Sequence, residues 1–419
     1  MCALRVVRRV FEEGAYADRA LAAEAAELGP RDRALATALA YGTVQRRATL
    51  DHVAEALVER PLARLDAPVL AVLRLGLFEL MYLGGSAQHA AVNEAVELAK
   101  REARGGAGLI NAVLRRGARE APGMLERLER GGDATPESAA LLHSVPGWLA
   151  SQWFRELGAE TARELLRVVN QPAESALRVN SLVAEPDAVA AALPVSSHPG
   201  VELPEALVLD GPFDVQASEL WRSGAVQPQS RGSMLVSRIL DPQPGERVLD
   251  LCAAPGGKTT HLAALMADHG EIVAVERHPG RAAALERTTA RLRATSVRVE
   301  VGDAAAERSD GPFDRVLVDP PCSGLGTLQS RPDLRWRARP EAIGELAALQ
   351  AGILAAGARV LGPGGTLAYS VCTISRAEGP DVIERFLDAH PEFSGEDARQ
   401  LLPHRDGTDG FFIARLRRA

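Results

Sequence analysis

The stretch RVLDLCAAPGGKTTHLAALM, from Arg247 to Met266, restricts the fold of this chain more than any other. Val248, Leu249, Leu251 and Cys252 form a short apolar run that carries Asp250, the pattern of a buried parallel strand. Pro255, Gly256 and Gly257 then open a loop with free backbone N–H groups, and a helix begins at Thr259. A small ligand bearing charge and acceptors fits between such a strand tip and helix N-terminus. A phosphate-binding P-loop needs glycine where Cys252 stands, and a dinucleotide loop needs G-x-G-x-x-G, so neither fits. What remains is a nucleoside site without pyrophosphate. The next strand, EIVAVE, ends in Glu276, about 20 residues after the loop, where a carboxylate can bind ribose hydroxyls. S-adenosylmethionine is the candidate ligand.

The 419 residues, 46% of them apolar, suffice for two or three domains. No run of 18 apolar residues and no leader-like opening occurs, so a soluble, cytoplasmic protein without membrane partners is expected. Four cysteines, Cys2, Cys252, Cys322 and Cys372, are too few for a disulfide framework and are expected as free thiols. The net charge of -7 excludes a uniformly basic nucleic-acid binder. Residues 1–130 carry 19 Lys+Arg against 17 Asp+Glu, whereas the remainder is acidic, so any RNA surface must be a local patch. Lys258, in the glycine loop, is one of only two lysines, the other being Lys100. Its placement suggests a need there for a compact ammonium.

From Arg5 to about Arg130 apolar residues recur at helical spacing, as in Leu50, Val53, Leu57 and Val58, predicting a bundle of six or seven helices. Arg101, Arg104, Arg115, Arg116 and Arg119 near its end read equally as a phosphate-contacting face or, with Glu97, Glu102 and Glu120 interleaved, as a solvated one. Gly131 to Pro136 reads as a linker. Residues 131–225 then suggest a small α+β module, with strands at Ala176–Asn180 and Ala206–Leu209. Arg178 and Asn180 lie on the polar face of the first strand, available to RNA or simply half-exposed. From residue 226 strands alternate with helices, predicting a doubly wound sheet with its ligands at the carboxyl ends of the strands.

Cys252, Asp303, Asp319-Pro320-Pro321-Cys322 and Cys372 fall at those ends. Cys252 reads as a small buried hydrophobe. Cys322 and Cys372 each follow a strand that should neighbour the other, with small or polar residues around both. Zinc and dithiol redox roles would need short-range ligand spacing or C-x-x-C, which are absent; no metal is expected. Adenosylmethionine beside two thiols suggests methylation of an atom that a thiolate must first activate, such as carbon 5 of cytosine. Methylation of an exocyclic amine needs no thiolate, and there an aromatic residue would stand in place of Cys322.

DLCAAPGGKT, GDA, DPPCSG and YSVCT, in that order, with RVNSL before them and DGFFIARL after, resemble the RNA (cytosine-5)-methyltransferase family. YGTV, LRLGLFELMYL, AAVNEAVELAK and INAVLRR resemble the NusB-like RNA-binding domain fused to its bacterial small-subunit rRNA methyltransferase B group. The resemblance spans nearly the whole chain. It implies a NusB-like bundle over 1–130, a linker and RNA-binding module over 131–225, and a Rossmann-like methyltransferase domain over 226–419. Cys372 would be the nucleophile and Cys322 the residue that assists product release. Cys252, Ala253, Ala254, Pro255, Gly256, Gly257 and Lys258 would hold the methionine portion of S-adenosylmethionine. Glu276 would bind ribose, Arg281 would belong to the same cofactor set, Asp303 would lie near adenine, and Asp319 would serve cofactor and base. The implied partner is RNA, most simply 16S rRNA, free or in an early assembly particle, bound by a monomer. Transfer RNA, or an inactive RNA-binding assembly factor, are the alternatives. Two stretches depart from the family pattern: Pro228 follows Val226-Gln227 where Asp is usual, and Arg376 to Pro380 replaces Pro-Glu-Glu-Asn-Glu.

Overall fold

The computed structural model describes residues 1–83, 88–103 and 105–419; Arg104 lies outside them. The chain forms two compact units, Met1–Pro172 with Leu328–Ala338, and Ala173–Thr327 with Arg339–Ala419.

The first unit is helical: α1 (Cys2–Glu12), α2 (Ala17–Glu24), α3 (Pro30–Gln45), α4 (Arg47–Val58), α5 (Ala67–Tyr82), α6 (Gln88–Glu102), α7 (Ala107–Gly131), α8 (Pro136–His143), α9 (Gly147–Leu157) and α10 (Ala159–Val168). Leu4, Leu50, Val53, Leu73, Leu77, Ile110 and Leu114 fill its core, as the spacing of apolar residues requires. The glycine-rich stretch before α8 is pinned, because buried Asp133 accepts hydrogen bonds from Arg163 at 2.7 Å and Arg167 at 2.9 Å. Burial opposes ionisation of this carboxyl, but Arg167, Arg163 and His143 override it and hold its pKa well below the usual range. In the arginine cluster, Arg116 is neutralised by Glu59 and Glu120, whereas Arg115 and Arg119 line a groove with His89 and Asn93. The segment 328–338 is held within this unit by fully buried Arg335, which donates to the carbonyls of Ser144 and Val169 and to Asn170 Oδ1.

The second unit contains two sheets. The smaller has the order β2-β3-β1-β4, all antiparallel, formed by β1 (Ala176–Val179), β2 (Ser197–Gly200), β3 (Leu203–Leu209) and β4 (Val226–Pro228), with α11 (Pro186–Ala192) beside them. The larger contains β5 (Arg247–Leu251), β6 (Glu271–Glu276), β7 (Val297–Val301), β8 (Phe313–Val318), β9 (Leu361–Val371), β10 (Phe393–Leu401) and β11 (Phe411–Arg418). Its order is β10-β11-β9-β8-β5-β6-β7. The five strands from β7 to β9 are parallel, and β11 and β10 add antiparallel at one edge. The flanking helices are α12 (Arg231–Leu240), α13 (Gly257–Leu265), α14 (Pro279–Arg291), α15 (Pro340–Val360) and α16 (Pro380–Ala389). The chain reverses its direction of winding between β5 and β8, the crevice where doubly wound sheets bind ligands. Among the described residues α15 is long and apolar enough to cross a membrane; half of it is buried here, with Ile353 and Leu354 in the core.

β1 corrects the reading of its polar face, since all four of its residues are buried. Arg178 donates to Gly257 O at 2.6 Å and to Thr260 Oγ1 at 2.8 Å, and Asn180 donates to the carbonyls of Gly224 and Leu292. Arg178 braces the first turn of α13, and Asn180 ties the end of α14 to Gly224; both side chains are buried, out of reach of RNA. Arg178→Ala should therefore lower the stability of the second unit by about 3 kcal/mol, through a cavity and two stranded acceptors. Urea titration measures it, and a loss under about 1 kcal/mol contradicts the bracing role.

Candidate active site

The tip of β5 is shaped by two residues in the left-handed region. Cys252 has φ 68°, and Gly256 has φ 102° with no room for a side chain, because a Cβ there would lie 2.6 Å from Leu285 Cδ1. Ala253 N–H donates to Val275 O, tying the loop to β6, and Arg281 donates to Ala254 O at 2.8 Å. Buried Glu276, at the tip of β6, accepts from His278 N–H at 2.9 Å and lies 3.4 Å from Arg281. Asp303 is exposed, two residues beyond Val301, the β7 partner of Glu276. The Cys252 thiol packs against the core, and burial among Asp319, Asp250 and Glu276 pushes its pKa up to about 12, so it remains a neutral thiol.

Asp250, nearly fully buried, accepts from Thr259 Oγ1 at 2.6 Å while its Oδ1 has no hydrogen-bond partner. Burial raises its pKa to about 7 despite that bond. Gln229 Oε1, beside Gly257, is also buried and unpartnered. Two orphaned acceptors at one loop are a cost unless a ligand supplies donors, and an amino acid ammonium and ribose hydroxyls supply them. The departure at Pro228 thus leaves a polar group next to the loop.

On the other side of the crevice, β8 and β9 are parallel neighbours. Asp319 follows β8, accepting from Lys258 Nζ at 2.8 Å and from Ser370 Oγ at 2.6 Å. Burial works against the Lys258 charge, yet Asp319 raises its pKa, so the ammonium persists. Cys322 and Cys372 bring their sulfurs within 3.3 Å of each other. The two thiols share a proton unequally. The hydrogen bond from Cys322 lowers the pKa of Cys372, while that bond and burial drive Cys322 well above the ordinary thiol range. Gly326 N–H donates to Cys372 O and Gly410 N–H to Gly326 O, a crossing so close that a Cβ on Gly326 would lie 1.9 Å from Gly410 O.

Lys258, Asp319, Cys322 and Cys372 therefore form one cluster facing the glycine loop. Residues 237–417 match the 16S rRNA methyltransferase RsmB/F family, 1–119 the NusB family, and 145–216 the ferredoxin-like domain of RsmF/B-like methyltransferases. The probable ribosomal RNA small subunit methyltransferase B of Bacillus subtilis is 34% identical, over 99% of this chain and 98% of its own length. The ribosomal RNA small subunit methyltransferase B of Thermus thermophilus is 38% identical over 93% and 89%. The chain belongs to the RsmB/F family of rRNA methyltransferases. The crystal structure of the protein PH0851 superposes with a TM-score of 0.83 at 28% identity, covering 99% of this chain and 98% of that one. A methyltransferase homologue from Pyrococcus horikoshii, also 28% identical, has a TM-score of 0.59 over 71% of this chain and 99% of its own. Membership of the RsmB/F family makes the chain a methyltransferase acting on RNA and agrees with the three-part fold expected from sequence.

Glu378 escaped the sequence reading, which saw only a retained carboxylate in a divergent stretch. It is fully buried between the two cysteine loops. The one signal available was a lone acid in RAEGP, six residues after Cys372.

Proposed function

We propose that this RsmB/F protein methylates carbon 5 of a cytosine in 16S rRNA, with S-adenosylmethionine as donor and Cys372 as covalent nucleophile. The observation that carries the reading is the 3.3 Å contact between a thiol shifted down and one shifted up, beside the Lys258–Asp319 pair. The loop from Cys252 to Lys258, with Glu276, Arg281 and Asp303, would hold the cofactor, which when bound supplies an electrophilic methyl group. The orphaned Oδ1 of Asp250 fits that assignment.

Cys372 Sγ adds to carbon 6, and electron density moves onto carbon 5. As charge builds on the cytosine 3-nitrogen, Asp319 passes to it a proton that it takes from the Lys258 ammonium. Once carbon 5 carries its methyl group, the Cys372 sulfur is a neutral thioether and no longer holds Cys322 in its protonated form, so Cys322 gives its proton to water. Its thiolate then removes the carbon-5 proton, the ring double bond re-forms as the electron pair of the S–C6 bond returns to Cys372, and the proton on the 3-nitrogen returns to Asp319.

This division of labour has a pH signature. The rate of adduct formation should rise with pH and level off below 9, the ordinary thiol value, because Cys372 is ionised early. Cys322→Ala deletes the hydrogen bond that lowers Cys372, so the midpoint should move upward. Single-turnover quench experiments measure both, and an unmoved midpoint contradicts the shared proton. Methylation of 16S rRNA by the purified enzyme, with 5-methylcytidine identified by nucleoside mass spectrometry, tests the reaction. Binding of RNA with no methyl incorporation would favour the assembly-factor alternative.

A further inference from the structure

Glu378 lies outside the reacting atoms yet touches both cysteine loops. Oε1 accepts from the backbone N–H of Ser323 at 2.8 Å and from Gln350 Nε2 at 3.1 Å. Oε2 accepts from Ser323 Oγ at 2.6 Å and lies 3.4 Å from Thr373 Oγ1. Ser323 directly follows Cys322, and Thr373 directly follows Cys372. The two hydroxyls are 2.8 Å apart; since Ser323 gives its single hydrogen to Glu378, Thr373 donates to Ser323. The Glu378 carbonyl is fixed as well, accepting from Tyr369 Oη at 2.5 Å, and Gln350 Nε2 also reaches Pro321 O at 3.0 Å.

A fully buried carboxylate held by these neutral donors is costly to desolvate, so its position is defined by all of them together. A change in any of them alters the register between the loops. We propose that Glu378 is a positioning residue that clamps the two cysteine loops in register and thereby decides which thiol attacks. The clamp rests on the two-thiol reaction proposed above. Its charge acts in the same sense, since Glu378 is among the groups that raise the pKa of Cys322 and keep that thiol protonated.

Glu378→Gln preserves length and burial while removing the charge and turning an acceptor into a donor. After folding is verified by thermal melting, the protein without RNA is alkylated with iodoacetamide at pH 7. The ratio of Cys372 to Cys322 adducts is then read by peptide mass mapping. The wild type should favour Cys372; in Glu378→Gln the ratio should fall about tenfold, as the loss of loop register and of the nearby negative charge frees Cys322 to react. Turnover should fall on the order of 10- to 100-fold while the RNA KM changes less than about twofold, as expected for misplaced reacting groups. If Glu378→Gln does not fold, Ser323→Ala, which deletes the hydroxyl between Thr373 and Glu378, should show the same change at about threefold. A folded variant with the wild-type ratio and turnover overturns the proposal. Because alkylation needs no RNA, a wild type that makes no 5-methylcytidine contradicts the reaction alone, and the ratio still decides Glu378.

Discussion

Cys372→Ala is expected to abolish methyl transfer, by about 10⁴-fold or more, and to leave no protein covalently attached to RNA. The size follows from the chemistry: carbon 5 of cytosine has little nucleophilicity until a thiolate adds at carbon 6, so no neighbouring group can substitute. Cys322 cannot take over, because burial and Glu378 still raise its pKa and the glycine crossing at Gly326 and Gly410 fixes position 372, not Cys322, at the end of β9. Alanine removes only a half-buried sulfur, so the fold should survive. RNA affinity should also be retained, which filter binding measures alongside methyl incorporation. Residual transfer within about tenfold of wild type would place the nucleophile elsewhere.

Cys322→Ala should fail differently. The attack by Cys372 still occurs, but the carbon-5 proton then has no base 3.3 Å from the nucleophilic sulfur. Turnover should drop by about 10³-fold, and the protein should accumulate on RNA as a complex that survives denaturing electrophoresis. The opposite outcomes of two neighbouring alanines, no complex and a trapped one, separate the roles of the thiols. Both variants losing activity without a complex would contradict that assignment.

The meeting of Cys322 and Cys372 at one crevice was legible because residues of that kind at strand ends are chemically particular. No alternation or periodicity was needed to see Cys322 and Cys372 at strand ends, and the run around Asp250 could belong to little else than a buried strand before a ligand loop. The helical bundle was legible from the recurrence of Leu50, Val53 and Leu57, one face of α4, all buried. Elements whose form depends on distant partners were not. β10 was missed because SGEDARQ presents almost only exposed polar side chains; an edge strand with one neighbour needs no apolar face to pair with β11. α8 was hidden behind glycines that suggested a linker, although Asp133 there is buried by arginines some 30 residues later in the chain. Arg178 and Asn180 read as surface groups because polar residues usually are, and only the three-dimensional placement of Gly257, Thr260, Gly224 and Leu292 explains their burial. Glu378 belongs with them: nothing local distinguishes a carboxylate that joins two loops from one that faces water.

The most direct measurement is mass spectrometry of the complex formed by Cys322→Ala with 16S rRNA and S-adenosylmethionine, after digestion of both protein and RNA. The peptide containing Cys372 should carry a single cytidine nucleotide with one added methyl group. A nucleotide attached to another residue, or methylated RNA released with no cross-linked peptide at all, would contradict the two-thiol account.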